Sequence, residues 1–339
     1  MPWLMFVLSA TVIVLAGTKL SRHGNQIAEH TGLGGLWIGV VLMAGATSLP
    51  EVLTTMSAAW LEAPDLAAGD LFGAVLTNML TLGIIDLTHR QKRVWQQAAF
   101  EHALVASLAM ALVGLTALFI ALKADVVLWG IGLDTLLLMI VYILGMRVVF
   151  RQEDVRRRQR EREKIIEAEE TKDDGAKDRR AGLRRAVFGF TASALALLAA
   201  APFLASSAKE IAERTGLGTT FIGTSLVAIT TSLPELVTSL AAVRLGAYDL
   251  AVGNLFGSNA FNMAAFFFAD LAYGPGPLLN AVSTTHIITA LFGILLMNVG
   301  LMGIIYRAER RFFFIEPDSL LMIAAYGLAI WVLFRLSGA

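Results

Sequence analysis

T-S-L-P-E at residues 47–51 recurs letter for letter at residues 231–235, and both copies lie in apolar sequence. Each copy is followed at the same distance by the pattern D-L-A-x-G-x-L-F-G, which begins at Asp65 and again at Asp249. The offset between the copies is 184 residues (231 minus 47), with no gap. A long ungapped match of this kind predicts an internal duplication of the chain.

The composition is that of a membrane protein. Hydrophobic residues make up 56% of the 339 residues, and charged residues only 16%. The chain has no cysteine, which excludes disulfides, thiolate metal sites and cysteine nucleophiles. No basic segment precedes the apolar stretch in residues 1–20, so we expect a first membrane helix there rather than a cleaved signal peptide.

Apolar runs of about 20 residues, long enough to cross a bilayer, recur along the whole chain. They predict an all-α membrane protein with about ten transmembrane helices. Because five spans in each half is an odd number, the second half must enter the membrane from the opposite face, which gives two inverted-topology five-helix repeats. The predicted spans are 2–20, 35–61, 65–88, 97–122, 125–150, 185–206, 218–245, 249–272, 280–306 and 318–336.

The distribution of Lys and Arg predicts the orientation, because short cytoplasmic loops carry the excess of basic residues. Every strongly basic loop falls on the cytoplasmic side if the N-terminus lies outside. The predicted units are a first repeat at 1–150, a charged cytoplasmic linker at 151–183 and a second repeat at 184–339. We interpret the linker as a solvated helical extension, with a cation sensor or a lipid-headgroup site as the alternative.

Glu51 and Glu235 lie about ten residues from the nearer ends of their spans, which places them near the middle of the bilayer. A charged carboxylate costs about 2.5–3.5 kcal/mol there on insertion scales, and no Lys or Arg is predicted at the same depth. Pro50 and Pro234 precede them and interrupt the helical hydrogen bonds. We therefore predict a functional role for both glutamates.

The same breaks bring together oxygen atoms of three kinds: carboxylate, carbonyl and hydroxyl. Such a set suits hard cations such as Ca²⁺ and Na⁺ and not Zn²⁺ or Cu²⁺. Besides the two glutamates, the predicted ligands beside the breaks are the hydroxyls of Thr47, Ser48, Thr231 and Ser232 and the loosened carbonyls of Ala44 and Ala228.

Short turns at 62–64 and 246–248 fold the next helix back along each broken one. Residues four apart share a helix face, which carries Asp70, Ala74 and Asn78 in the first repeat and Asn254, Ser258 and Asn262 in the second. The further candidate ligands on this face are Asp70, Asn78, Ser258 and Asn262. The alternative for Asp70 is a position at the outer mouth of the site rather than a place among the ligands. We expect Asp86 and Asp270, near helix ends, to be solvated, and His286 to be a satisfied polar residue rather than a proton relay. Small residues that would allow close helix packing are Gly69, Gly73, Gly253 and Gly257.

T-S-L-P-E followed by D-L-A-V-G-N-L-F-G-S-N-A-F-N closely resembles the α-repeat of the cation/calcium antiporter superfamily, the sodium/calcium exchanger-type membrane proteins. The resemblance covers both repeats. It implies alternating access around a core of spans 2, 3, 7 and 8, against which spans 1 and 6 slide. It also implies that Glu51 and Glu235 bind Ca²⁺ with help from Thr47 and Thr231. The positions implied for Na⁺ are Ala44, Ser48, Ala228, Ser232 and Ser258.

The chain departs from the family pattern at four positions. Ala74 and Val75 stand where the first repeat would have the Ser and Asn of G-S-N, and Asp70 replaces an Asn. In the second repeat, Asn262 stands where many sodium-coupled members carry an Asp. These changes leave two carboxylates rather than three in the central site and remove one hydroxyl ligand.

The sequence therefore predicts a secondary antiporter that exchanges Ca²⁺ for Na⁺ across a prokaryotic inner membrane as a multi-pass protein. The first alternative is an H⁺-coupled cation antiporter of the same fold, since two neighbouring glutamates repel each other and favour binding of a proton. The second is a structural or regulatory membrane protein without transport. No enzyme motif, organic cofactor or nucleic-acid partner is predicted.

Overall fold

The described part of the computed structural model comprises residues 2–31, 44–88, 102–165, 176–244, 246, 248–306 and 317–336. Almost all of these residues are helical. The elements of the first half are α1 (Pro2–Thr31), α2 (Ala44–Thr47), α3 (Leu49–Trp60), α4 (Pro64–Thr88), α5 (His102–Leu122), β1 (Val127–Leu128), β2 (Ile131–Gly132) and α6 (Leu133–Ile165).

The second half repeats this order with α7 (Ala176–Thr215) in the place of α1. The helix after α7 is interrupted by a π-helical turn, Gly223–Val227. The elements are α7, α8 (Thr219–Ile222), the π-turn, α9 (Ala228–Thr231), α10 (Leu233–Arg244), α11 (Tyr248–Ala272), α12 (Leu278–Ala281), α13 (Thr285–Tyr306) and α14 (Pro317–Leu336).

Among the described residues, seven helices are long and apolar enough to cross a membrane, or eight if the bent pair 219–231 and 233–244 counts as one span. This confirms the all-α membrane fold. The count of ten and the outside N-terminus stay predictions. Two of the ten predicted spans are not among the eight: 249–272 forms α11, and 35–61 lies partly outside the described residues.

The start of the predicted span 125–150 is wrong, because residues 127–132 form a two-stranded hairpin. Trp129 and Gly130 at its turn have positive φ angles of 53° and 83°, which suits a tight two-residue turn. The span therefore begins at Leu133. The charged segment 151–183 continues α6 to Ile165 and joins α7 from Ala176, so its described backbone is helical, and residues 166–175 lie outside the description.

The two helices after the repeated motifs, α4 and α11, lie at the centre of the molecule. In α4, 89% of the residues in its most apolar 18-residue window are buried, against 22–50% for the six other candidate spans. A Cβ added at Gly73 would lie 2.5 Å from the backbone oxygen of Thr224, and one added at Gly69 would lie 2.9 Å from the Cα of Gly223. The predicted close approach at these two glycines is confirmed, and its partner is the π-turn.

Helices α1 and α7 pack against each other along much of their length, on one side of this centre. Gly17 of α1 faces both proline breaks: a Cβ there would lie 2.6 Å from Cγ of Pro234 and 3.3 Å from Cγ of Pro50. Helix α1 thus contacts the point at which each repeat bends.

Symmetry-related hydrogen bonds tie the central helices to the outer ones. Ser319 donates to Asp86 at 2.7 Å, and Thr135, 184 positions earlier, donates to Asp270 at 2.8 Å. Both aspartates are 2% exposed, so the prediction that they are solvated is wrong. Asp270 also accepts two backbone N–H groups at 2.6 Å, which explains how it is buried near a helix end.

Two His–Asp pairs follow the same symmetry. His102 lies 3.2 Å from Asp249, and His286 lies 3.5 Å from Asp65. Each histidine is almost completely buried, and each aspartate lies in the first turn of one of the two central helices. These reciprocal pairs are the contacts that a pseudo-two-fold relation between the halves produces.

The predicted orientation can be tested with single cysteines, because the natural chain has none. Trp129→Cys, at a turn residue that is 88% exposed, should react with a membrane-impermeant maleimide on intact cells. Arg184→Cys should react only after the cells are permeabilised. The opposite labelling pattern would mean that the N-terminus lies inside.

The tight contact of α4 with the π-turn predicts that Gly73→Ala destabilises the protein by about 1–3 kcal/mol through overpacking. Gly327→Ala is the matched control, since a Cβ at Gly327 meets no atom within 4 Å. Thermal unfolding in detergent should show a lower midpoint for Gly73→Ala alone. Equal midpoints would contradict the packing described for α4.

Candidate cation-binding site

Each repeat bends one residue before its Leu-Pro-Glu sequence. Ser48 and Ser232 stand at the bends with nearly the same backbone angles, φ −85° for both and ψ 5° and 2°. Proline then falls in the first turn of the next helix, where a missing N–H costs nothing. The second bend measures 42°, which confirms the break expected there.

Glu51 and Glu235 follow in the first turns of α3 and α10, where the positive end of the helix dipole favours a carboxylate. Both side chains are completely buried. Ser232 donates to Oε1 of Glu51 at 2.9 Å, and Ser48 donates to Oε1 of Glu235 at 3.2 Å. Each carboxylate is therefore held by a serine of the other repeat.

The second oxygen, Oε2, of each glutamate has no hydrogen-bond partner among the described residues. A buried carboxylate oxygen that is left unsatisfied costs several times what a neutral hydrogen bond contributes. A bound cation would satisfy both oxygens at once. Among the described residues, these two oxygens are the strongest indication of a cation site.

The two threonines of the motifs also reach across the repeat boundary. Thr231 donates to Oδ1 of Asp70 at 2.9 Å, while Thr47 lies 3.3 Å from Oδ1 of Asn254 and 3.4 Å from the Ser258 hydroxyl. Asp70 is 1% exposed, so in this structure it does not lie at a solvent-facing mouth.

The amide side chains of Asn78 and Asn262 lie farther along the central helices, α4 and α11. Asn78 donates to Oδ1 of Asn259 at 2.9 Å. The mirror contact of Asn262 would be with Val75, which has no polar group, and both amide atoms of Asn262 lack a partner among the described residues. The structure thus separates the predicted pair: one asparagine is paired and the other is not.

The predicted carbonyl ligands are only partly described. Ala44 begins α2, and its side-chain environment lies outside the description. The carbonyl of Ala228 accepts the backbone N–H of Ser232 at 3.0 Å and lies 3.2 Å from the Thr231 hydroxyl. It is therefore engaged in the helix rather than loosened as expected, and only its second lone pair remains for a cation.

Among the described residues, no group of three or more acidic or histidine side chains forms a metal cage. The donor set is instead two carboxylates surrounded by hydroxyls of Ser and Thr. Oxygen ligands of mixed kind and low total charge suit Ca²⁺ and Na⁺ and offer nothing to metals that prefer nitrogen or sulfur.

Three polar residues of this network were not singled out from the sequence. Asn259 accepts from Asn78, Thr55 donates to Asp70 at 3.0 Å, and Ser239 accepts from Asn254 at 3.2 Å. Thr55 and Ser239 are hydroxyl residues at matched positions of the two repeats, four residues after each glutamate. That matched spacing is the signal that would have found them.

Comparison with known proteins matches both halves of the chain to one family. The profile of the family described as sodium/calcium exchanger protein matches residues 1–148 and 185–335. The putative antiporter CaxA of Alkalimonas amylolytica is 27% identical over 315 residues, covering 90% of this chain and 92% of that protein. The inner membrane protein YrbG of Escherichia coli (strain K12) is 27% identical over 279 residues, with 81% and 80% covered.

The fold is also that of a solved exchanger. A structure of the sodium-calcium exchanger NCX_Mj, soaked with Na⁺ and Sr²⁺, superimposes with a TM-score of 0.62 at 21% identity and covers 97% of both chains. At this identity the likeness concerns the fold alone. Together with the profile match, it confirms the resemblance inferred from the two motifs.

The reciprocal serine contacts predict that Ser48→Ala and Ser232→Ala weaken Ca²⁺ binding by similar factors, on the order of tenfold, because each removes a serine donor from one buried carboxylate. Ser107→Ala is the matched control, since that hydroxyl bonds a carbonyl of its own helix at 2.7 Å. Isothermal titration of the purified protein measures the three affinities. Loss in only one of the two variants would contradict the shared site.

Proposed function

Because the chain belongs to the sodium/calcium exchanger family and is thus a cation/Ca²⁺ antiporter, we propose that it exchanges Ca²⁺ for Na⁺ by alternating access. It is a multi-pass protein of a prokaryotic cell membrane, in keeping with its apolar helices and with the inner-membrane relative. We further propose the repeat boundaries 1–150 and 184–339 with the linker 151–183 between them. The observation that carries the proposal is the reciprocal bonding of Glu51 and Glu235 to Ser232 and Ser48.

Charge balance favours an exchange of one ion type for another. The two glutamate carboxylates together carry a charge that matches one Ca²⁺ or two Na⁺ ions, so the loaded site has the same total charge with either ion type. Without a cation, both negative charges would have to pass through an occluded state in a medium of low dielectric constant, which is costly. The conformational change is therefore accessible mainly to the loaded protein, and a transporter of this kind exchanges ions rather than leaking them.

We assign the carboxylates of Glu51 and Glu235 to Ca²⁺, with the Thr47 and Thr231 hydroxyls beside them. The Na⁺ ions would take the smaller oxygen groups at the bends. Those proposed Na⁺ ligands are Ser48, Ser232, Ser258 and the carbonyls of Ala44 and Ala228. Asn78 and Asn262 line the amide layer next to the site.

Movement of α1 and α7 against the central helices would open the site to one side at a time. Gly17 packs against Pro50 and Pro234, so a shift of α1 would displace the two bends at which the serines hold the glutamates. The hydrogen bonds of Asp86 and Asp270 tie the central helices to α14 and α6, and the two His–Asp pairs tie them to α5 and α13. Helix α7 contacts the turn before α4 through the hydrogen bond from Lys209 to the carbonyl of Leu61 at 2.7 Å. We therefore propose α1 and α7 as the pair that slides.

Proteoliposomes loaded with Na⁺ and diluted into Na⁺-free buffer should take up Ca²⁺, because the efflux of Na⁺ down its gradient drives Ca²⁺ inward. A pH gradient alone should drive no Ca²⁺ uptake. Glu51→Gln and Glu235→Gln should each reduce uptake to the level of empty liposomes, because a neutral amide cannot balance a divalent ion. Glu210→Gln, which alters an exposed glutamate paired with Arg214, should transport normally.

Uptake driven by the pH gradient instead would establish the H⁺-coupled antiporter. Normal uptake by both site variants would overturn the site itself. No flux of any cation in the unaltered protein would favour a membrane protein without transport activity.

A further inference from the structure

The two halves of the site differ most in charge at one symmetry-related pair, Asp70 and Asn254. Asp70 accepts from Thr231 at 2.9 Å and from Thr55 at 3.0 Å. Oδ1 of Asn254 accepts from the Thr47 hydroxyl at 3.3 Å, and Nδ2 of Asn254 donates to the Ser239 hydroxyl at 3.2 Å. All four partners are hydroxyls at matched positions of the two repeats. The carboxylate of Asp70 on α4 and the amide of Asn254 on α11 therefore occupy equivalent positions, each between two hydroxyls.

The carboxylate fixes the direction of the threonine hydroxyl more firmly than the amide does. A hydroxyl carries one proton and two lone pairs. Asp70 receives the Thr231 proton in the shorter of the two contacts, as charge-assisted hydrogen bonds usually are. The lone pairs of Thr231 are thereby left for a cation on its other side. Thr47 has a longer contact, and its hydroxyl also lies 3.4 Å from that of Ser258.

Asp70 also supplies a buried acidic side chain in a chain that has Asn262 where many sodium-coupled members of the family carry an Asp. Asn262 is buried and uncharged, and both its amide atoms are without a partner among the described residues. Asp70 is equally buried, but it does not join the glutamates in a three-acid cage within the described chain. Each of its two oxygens already accepts a hydroxyl, from Thr231 and from Thr55, so we place its charge beside Thr231 rather than among the direct ligands.

We propose that Asp70 is a positioning and specificity-determining residue: it orients Thr231 toward the cation and supplies a third negative charge that favours divalent over monovalent ions. This rests on the proposed function, since it concerns the same Ca²⁺ and Na⁺ site. It explains how the chain serves a divalent ion although the amide layer carries no acid.

Coulomb's law gives this role a signature that a structural role lacks. The interaction of a fixed charge with an ion is proportional to the charge of the ion, so it is twice as large for Ca²⁺ as for Na⁺ at the same place. Removing the charge should multiply the dissociation constant of Ca²⁺ by the square of the factor found for Na⁺. A change that only loosens the site should affect both ions by similar factors.

The test is a charge swap across the symmetry axis. Asp70→Asn should raise the dissociation constant for Ca²⁺ about 100-fold and that for Na⁺ about tenfold, as expected for loss of one nearby buried charge. Asn254→Asp should raise the preference for Ca²⁺ over Na⁺. The double variant Asp70→Asn/Asn254→Asp should return both constants to within about threefold of the unaltered protein, because Ser239 can donate to the new carboxylate as Thr55 does to Asp70.

Equilibrium titration of the purified full-length variants with Ca²⁺ and with Na⁺ measures these constants, and thermal unfolding monitors the fold. Equal factors for the two ions in Asp70→Asn, or no recovery in the folded double variant, would overturn the proposal. If Asp70→Asn does not fold, Asn254→Asp decides: an unchanged ion preference overturns the role of the charge. Absence of Ca²⁺ binding in the unaltered protein would instead refute the proposed function on which this inference rests.

Discussion

The structure depends on one constraint: two carboxylates that are completely buried between the helices must each find a partner. The chain meets this constraint across the repeat boundary, because Ser232 holds Glu51 and Ser48 holds Glu235. Neither repeat can satisfy its own glutamate by these contacts. The two halves must therefore dock for these contacts to form, and the second oxygen of each carboxylate has no hydrogen-bond partner among the described residues.

The surrounding packing follows from the same constraint. Bringing the two bends together requires α4 to approach the π-turn closely, which the glycines at 69 and 73 permit. It also requires the central helices to be anchored elsewhere, and the buried hydrogen bonds of Asp86 and Asp270 provide that anchor at both ends. A rigid centre beside a less strongly tied pair, α1 and α7, is the arrangement that the proposed alternating access needs.

Much of this organisation could be predicted from the sequence, because duplication and proline breaks act locally or by simple offset. T-S-L-P-E indicated both bends and both acids. The cross-repeat contacts at the site could not be predicted, since they join residues between 161 and 211 positions apart whose distance depends on how the repeats dock. For this reason the sequence does not reveal the contact of Asn259 with Asn78, or the hydrogen bonds that bury Asp86 and Asp270. The hairpin at 127–132 is a separate, local difference from the predicted span. Once one contact is known, the offset of 184 gives its mirror, as His102–Asp249 and His286–Asp65 illustrate.

The most direct test of this account is anomalous X-ray scattering from crystals of the protein soaked in Ca²⁺. We predict one strong peak between the Oε2 atoms of Glu51 and Glu235, within about 2.3–2.6 Å of both carboxylates, as Ca²⁺–oxygen distances require. The peak should disappear in crystals of Glu235→Gln. A peak bound to one glutamate only, or strong peaks confined to other places while this position stays empty, would contradict a cation site shared between the two repeats.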